Sequence, residues 1–525
     1  MLNPLASGSW NYDAAAHLAL RASFGESPVE LEKWVNQGLD STLEHLLHTP
    51  PPVTTPPDWA YPTRDEDLLP RIRNAETTAE DRAQLQRQLN ERKAAEMVEL
   101  VSWWTQRMYN TPSPLTEKMT LFWHGHFATS AEKVNAYRMW LQNETLRMYA
   151  LGNFGALVKA ISCDPAMLAW LDLAASQKEH PNENFARELM ELFTLGEGHY
   201  TENDIKEAAR AFTGYRTDGQ TQEFRFVANQ FDLSNKTFMG KTGPWRGDEI
   251  IDIILAQPQC AKFIAPKLWR FFAYEDPEPT LVEALANRFR AVRYEIRPLL
   301  KTIFASEEFY SGRTRNGLVK SPVQYIVQAR RTLGVSPPSG APVTFVYRQL
   351  GQLPFYPPNV KGWDGGKSWI NTASLAYRYE LARELVNGIL PEQVGLPKAP
   401  AQPSATPQHS ATPAGKQLAV SGQMHAVANS PSPIPTVTLI PPPAPKPASQ
   451  LTGGLPVGRI LTADDRRDSR RALQKLCQCI FQTNPKPEFV EKFVQIANSK
   501  PHPLDDHAIR DLAILMMSTP NYQVC

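Results

Sequence analysis

Apolar positions along most of this chain recur at intervals of three and four residues, the spacing of a single helix face. Start and stop signals agree with that period. Ser27-Pro28-Val29-Glu30 predicts a capping box with proline at the first helical position, closed by Gly38. Ser113-Pro114 predicts a helix running through Leu115, Met119, Phe122 and Trp123. Thr201 to Asp204 predicts another N-terminus, with the stop at Thr213-Gly214. From about Thr78 to Met108 one long helix is expected. Its first half is polar (Glu80, Asp81, Arg82, Gln84) and its second half aromatic (Trp103, Trp104), so one end should be solvated and the other buried. Period-two alternation is rare. Glu223 to Val227 reads as one strand of a short hairpin, and Val343 to Tyr347 fits strand or helix equally. The expected fold class is mostly α, a multi-helix array with at most a small β-hairpin.

The helical period stops at about Pro397 and resumes near residue 457. The interval is rich in proline, including Pro441-Pro442-Pro443-Ala444-Pro445, and has few aromatic or acidic residues. Such a segment buries too little apolar surface to offset its chain entropy. A disordered, Pro-rich linker is therefore expected over 397–456, between a main helical body (1–396) and a C-terminal helical segment (457–525). The last segment shows three helical patterns, Asp464 to Gln482, Pro487 to Asn498 and Asp505 to Met517. About 70 residues of this kind are marginal alone, so they should pack back on the main body.

Composition narrows the partners. The 525 residues carry a formal net charge of +1, which gives no bulk attraction to nucleic acid or an anionic membrane. No apolar run of about 18 residues is present, so no membrane insertion is expected. The N-terminus lacks a basic region followed by an apolar one, so it does not read as a secretory signal, and a cytoplasmic location is the default expectation. The 5 cysteines are scattered and odd in number, and read as ordinary thiols, not a disulfide framework. No Gly-x-Ser-x-Gly elbow appears.

Candidate chemistry concentrates in two places. His124-Gly125-His126 sets two imidazoles two residues apart. They can share a metal ion if Gly125 breaks the helix, whereas in a continuous helix they point about 200° apart. The alternative is a pair of buried histidines at a helix C-terminus, favoured by the dipole. On the stretch Asn182 to Gly196, Asn184, Glu188 and Glu191 share one face beside the apolar Phe185, Leu189, Leu192 and Phe193. Two carboxylates one turn apart repel and call for a cation between them. A metal fits, and so does an internal network with Arg187 or Arg210. Glu183 is explained equally well as a helix N-terminal charge. Trp363 and Trp369 either wall a cleft or cover the core. Gly365-Gly366-Lys367-Ser368 lacks phosphate-loop spacing.

Several segments together resemble the bacterial family called domain of unknown function 1800. They are His17 to Gly25, Leu121 to Phe127, Asn182 to Gly196, Ala208 to Tyr215, Lys320 to Val323 and Pro357 to Trp363, in that family's order. Where the family commonly resembles His-Asp before Lys-Thr, this chain has Phe231-Asp232 before Lys236-Thr237. The resemblance implies members that often look exported, and neighbours with a phosphatase- or sulfatase-like fold as possible partners. It assigns no reaction.

From the residues, the leading expectation is a buried polar site of His124, His126, Glu183, Asn184, Glu188, Glu191 and Arg210. His124, His126, Glu183 and Glu188 would be ligands to a divalent metal ion, and Glu188, Glu191 and Arg210 would act in catalysis. Metal-dependent hydrolysis is the first reaction class to consider. The competing expectation is a non-enzymatic binding or accessory protein whose polar helix is a structural network.

Overall fold

A computed structural model describes residues 2–50, 56–61, 68–219, 221–335, 340–388, 454–483 and 487–525. The chain is mostly α, as the spacing predicts. The long amphipathic pattern forms α1 (Ala79–Asn110), started by Thr78, whose side chain accepts from the Asp81 N–H. Its buried residues crowd into the second half, from Glu96 to Met108. Next come α2 (Pro114–His126) and α3 (Ala136–Met148). Then α4 (Glu183–Glu188) runs directly into a π-helical turn, Leu189–Thr194. The next helix, α5 (Glu202–Ala211), has a complete capping box between Thr201 and Asp204.

Among the described residues the strands form two antiparallel two-stranded ladders, β1 (Tyr215–Thr217) with β2 (Phe224–Phe226) and β3 (Lys236–Phe238) with β4 (Lys241–Gly243). The first contains the alternating segment. The second is made of three-residue strands too short to show a period. The ambiguous Val343 to Tyr347 lies inside a helix, Ala341–Leu350, where Val343, Val346 and Tyr347 are buried. At Ser27 only half of the expected capping box forms. Ser27 accepts from the Glu30 N–H, but the Glu30 carboxylate turns to Lys33 and Trp34.

The described residues on either side of 389–453 form one compact unit. The Pro-rich segment expected at 397–456 lies outside the described residues up to 453. Leu455 is buried, and its N–H donates to the Val386 carbonyl. The three C-terminal patterns are helices Ser469–Ile480, Pro487–Asn498 and Asp506–Met517. The first packs on Pro322–Leu333 and the last on Thr372–Asn387.

Two apolar clusters make up most of the interior. One holds Trp123, Phe127, Phe185, Phe193 and Trp269, and the other Trp104, Met139, Tyr325 and Leu473. Helix α2 contributes Leu115, Met119 and Trp123 to the first and Leu121 to the second. A helix covered on all sides must bury whatever polar residues it carries. Glu117, Lys118, His124 and His126 of α2 are all buried for this reason. Among the described residues no helix is long and apolar enough to cross a membrane.

Candidate functional site

Gly125 does not break α2, which stays helical to His126. The two imidazoles therefore diverge, and the structure corrects the shared-metal geometry expected of them. His124 Nε2 accepts from the Phe355 N–H at 3.0 Å, and the ring sits edge-on to Trp104. An acceptor Nε2 fixes the proton on Nδ1, leaving no free lone pair. Burial lowers the His124 pKa to about 3. His126 turns the other way, with Nε2 3.0 Å from the Phe193 carbonyl. A carbonyl only accepts, so Nε2 carries the proton and Nδ1 presents its lone pair to Lys267 Nζ at 3.5 Å. Burial, then the Lys267 charge, push the His126 pKa well below the ordinary histidine value.

Lys267, on α6 (Pro258–Phe272), also donates to the Leu192 carbonyl at 3.3 Å and lies over the Phe263 ring. Lys267 and His126 thus cap the carbonyls that the end of the π-turn leaves without helical partners. Burial, reinforced by Arg270, drops the Lys267 pKa to about 7. Its sequence signal is a single lysine among Phe263, Ile264, Leu268 and Phe271, with no acid one turn away.

Glu188 and Glu191 do share a face. They straddle the junction between α4 and the π-turn, a helical irregularity often found at functional sites. Both are half-buried. Glu191 accepts from the Tyr200 hydroxyl at 2.9 Å. Among the described residues no cation lies within ion-pair distance of either carboxylate. Burial, then the charge of Glu191, raise the Glu188 pKa, and Arg187 and Lys361 only moderate the shift. Lys361 belongs to the loop Pro357 to Trp363. That loop seats on α2 through Gly362, which has φ 83° and presses on the Gly125 carbonyl so closely that a Cβ would collide with it. Trp363 approaches the His124 ring at 5.7 Å, and Trp369 is buried.

The remaining expected residues are engaged elsewhere. Glu183 lies 3.6 Å from Arg187, whose guanidinium makes two 2.9 Å bonds to Glu202 and ties α4 to α5. Asn184 is exposed, and its N–H donates to Asn182 Oδ1. Arg210 makes no ion pair with Glu188 or Glu191. It donates to Glu207 and, through Nε, to Asp232 at 2.7 Å. Burial alone would raise the Asp232 pKa, but Arg210 and Ser234 outweigh it and hold the value to about 2. Phe231, directly before Asp232, is buried under Lys236, 4.7 Å from its ring centre.

An internal Arg–Glu network lies around Glu117, a residue that sequence spacing does not single out. Glu117 of α2 is fully buried and accepts from Arg107 of α1 and Arg147 of α3, each at 2.7 Å, and from Trp104 Nε1. Burial would raise its pKa, yet Arg147 and Arg107 together lower it. Among the described residues no three His, Cys, Asp or Glu side chains converge where they could hold a metal ion. All 5 cysteines are free thiols, four of them buried.

A family model described as "Protein of unknown function (DUF1800)" matches residues 17–524. The chain belongs to that family. No curated protein and no solved structure matches the chain.

Proposed function

We propose that this DUF1800 protein is a divalent-cation-dependent hydrolase centred on Glu188 and Glu191. The supporting observation is two half-buried carboxylates one turn apart with no cation in ion-pair contact among the described residues. Their mutual repulsion is a cost that a bound cation would offset. A hard ion such as Mg²⁺ binds through one or two carboxylates and keeps several waters, so it does not need a third protein ligand. When bound, it would supply a water of lowered pKa. In this reading Glu191, steadied by Tyr200, binds the ion. Glu188, which keeps its proton to higher pH than an ordinary glutamate, handles the proton. Lys361 would neutralise an anionic group on the substrate. His124, His126, Glu183 and Arg210 leave the proposed catalytic set, because each is committed to the contacts described above.

The test is thermal melting of chelated protein, then of protein titrated with Mg²⁺, Mn²⁺, Ca²⁺ and Zn²⁺. A ligand that binds only the folded state raises the melting temperature saturably. The expected result is a saturable rise in the wild type that Glu191→Gln abolishes. A chelated protein indifferent to all four ions ends the proposal. Hydrolysis is checked separately on chromogenic carboxyl and phosphate esters, where Glu188→Gln should lose turnover while retaining the ion response.

A second reading rests on the capping of the π-turn by Lys267 and His126 and the Glu183–Arg187–Glu202 link. These contacts favour a scaffold helix in a non-enzymatic accessory protein. Its partner would be the phosphatase- or sulfatase-like neighbour that family resemblance suggests. Co-purification of such a protein with the ion-indifferent chain would decide for it.

A further inference from the structure

A cleft of about 410 Å³ opens far along the chain from the carboxylate pair, between helix Leu39–His48, helix Pro279–Ala291 and helix Ile296–Phe304. Its volume falls in the range of small-molecule sites. Its apolar wall includes Leu2, Leu47 and Pro298, and its polar side carries His48, Arg288, Arg297 and Lys301. Among the described residues no carboxylate lines it, although His48 lies 2.9 Å from Glu44. Lys301 is already paired with Glu44 at 2.7 Å, outside the lining. The two arginines are different. Arg297 donates through Nε to the Leu47 carbonyl at 3.0 Å, and Arg288 through Nε to Thr302 Oγ1 at 3.1 Å. Each guanidinium is therefore anchored by its inner nitrogen, with its outer N–H groups meeting no protein acceptor among the described residues. Anchored forks of this kind are pre-organised for a planar or tetrahedral oxyanion.

We propose that this cleft binds a small soluble phosphomonoester with a short apolar body. The two exposed guanidinium groups, each without an ion-pair partner among the described residues, match a phosphate dianion, and the apolar wall accepts the organic part. The site is independent of the Glu188–Glu191 reading, since it shares no residue with it.

The experiment is calorimetric titration of the full chain with hexyl phosphate, inorganic phosphate and vesicles of phosphatidic acid in phosphatidylcholine. Hexyl phosphate is expected to bind saturably and more tightly than inorganic phosphate. Arg297→Gln and Arg288→Gln should each weaken it about tenfold or more, as loss of a charge-assisted fork implies. Both variants must melt as the wild type does. If one is destabilised, Arg288→Lys, which keeps charge without the fork, should still weaken binding. Absence of saturable hexyl phosphate binding, binding unaltered in the folded variants, equal affinity for inorganic phosphate, or binding to vesicles alone would each overturn the proposal.

Discussion

Glu117 and Glu188 are the same side chain in two regions of one protein, and their surroundings drive them in opposite directions. Glu117 is fully buried where α1, α2 and α3 meet, and two arginines and an indole N–H satisfy it. Its pKa is lowered. Glu188 is half-buried beside another carboxylate, with no cation in contact among the described residues, and its pKa is raised. Burial penalises both charges. The difference is whether the fold itself supplies the counter-charge. Where it does, the residue holds helices together. Where it does not, the residue is strained electrostatically and open to an outside cation.

The largest effect expected from this comparison is at Glu117. Glu117→Gln removes the acid that Arg107 and Arg147 share. It leaves the half-buried Glu144, 2.7 Å from Arg147 and 4.0 Å from Arg107, as the remaining counter-charge among the described ion pairs. The change should cost about 3 kcal/mol in denaturant unfolding. A loss below about 1 kcal/mol would erase the contrast. Next comes Gly362→Ala, which forces a Cβ against the Gly125 carbonyl at positive φ. It should destabilise by about 2 kcal/mol or more, and by shifting Lys361 should weaken turnover of an anionic substrate and not the ion response. Glu188→Gln should lie within about 1 kcal/mol of wild type at pH 7, and on the stabilised side, because it removes an uncompensated charge. Arg187→Gln should have the smallest effect, since its link to Glu202 is exposed. It should leave the ion response intact, and loss of that response would move Arg187 into the site.

Much of this was legible in the chain. Helix starts at Thr78 and Thr201 follow from local side-chain caps, which need no tertiary information. The shared face of Glu188 and Glu191 follows from helical spacing, although the π-turn that begins at Leu189 gives no sequence signal. The choice between a shared-metal histidine pair and two buried helix-end histidines is not legible, because a glycine permits a break without requiring one. Packing of α2 between two apolar clusters keeps the helix continuous through Gly125. Arg210 suits the Glu188 pair as a counter-charge by its type alone, yet Glu207 one turn away and Asp232 on the following loop are its partners. Glu117 escaped notice because its arginines come from other helices, 10 and 30 residues distant. Only the assembled fold brings those charges together.

The most direct measurement is the unfolding free energy of wild type, Glu117→Gln and Glu188→Gln from pH 4 to 8. A lowered folded pKa gives stability that is present above the ordinary glutamate value and fades as pH falls through it. The wild-type advantage over Glu117→Gln should therefore rise with pH at the acid end of the range and level off just above the ordinary glutamate value. A raised folded pKa gives stability that is present below the ordinary value and lost as pH rises through the folded one. Wild type should accordingly lose ground to Glu188→Gln as pH rises. Opposite slopes are the predicted result. Parallel slopes, with Glu188 behaving as Glu117 does, would show that the fold already compensates Glu188 and would contradict the account.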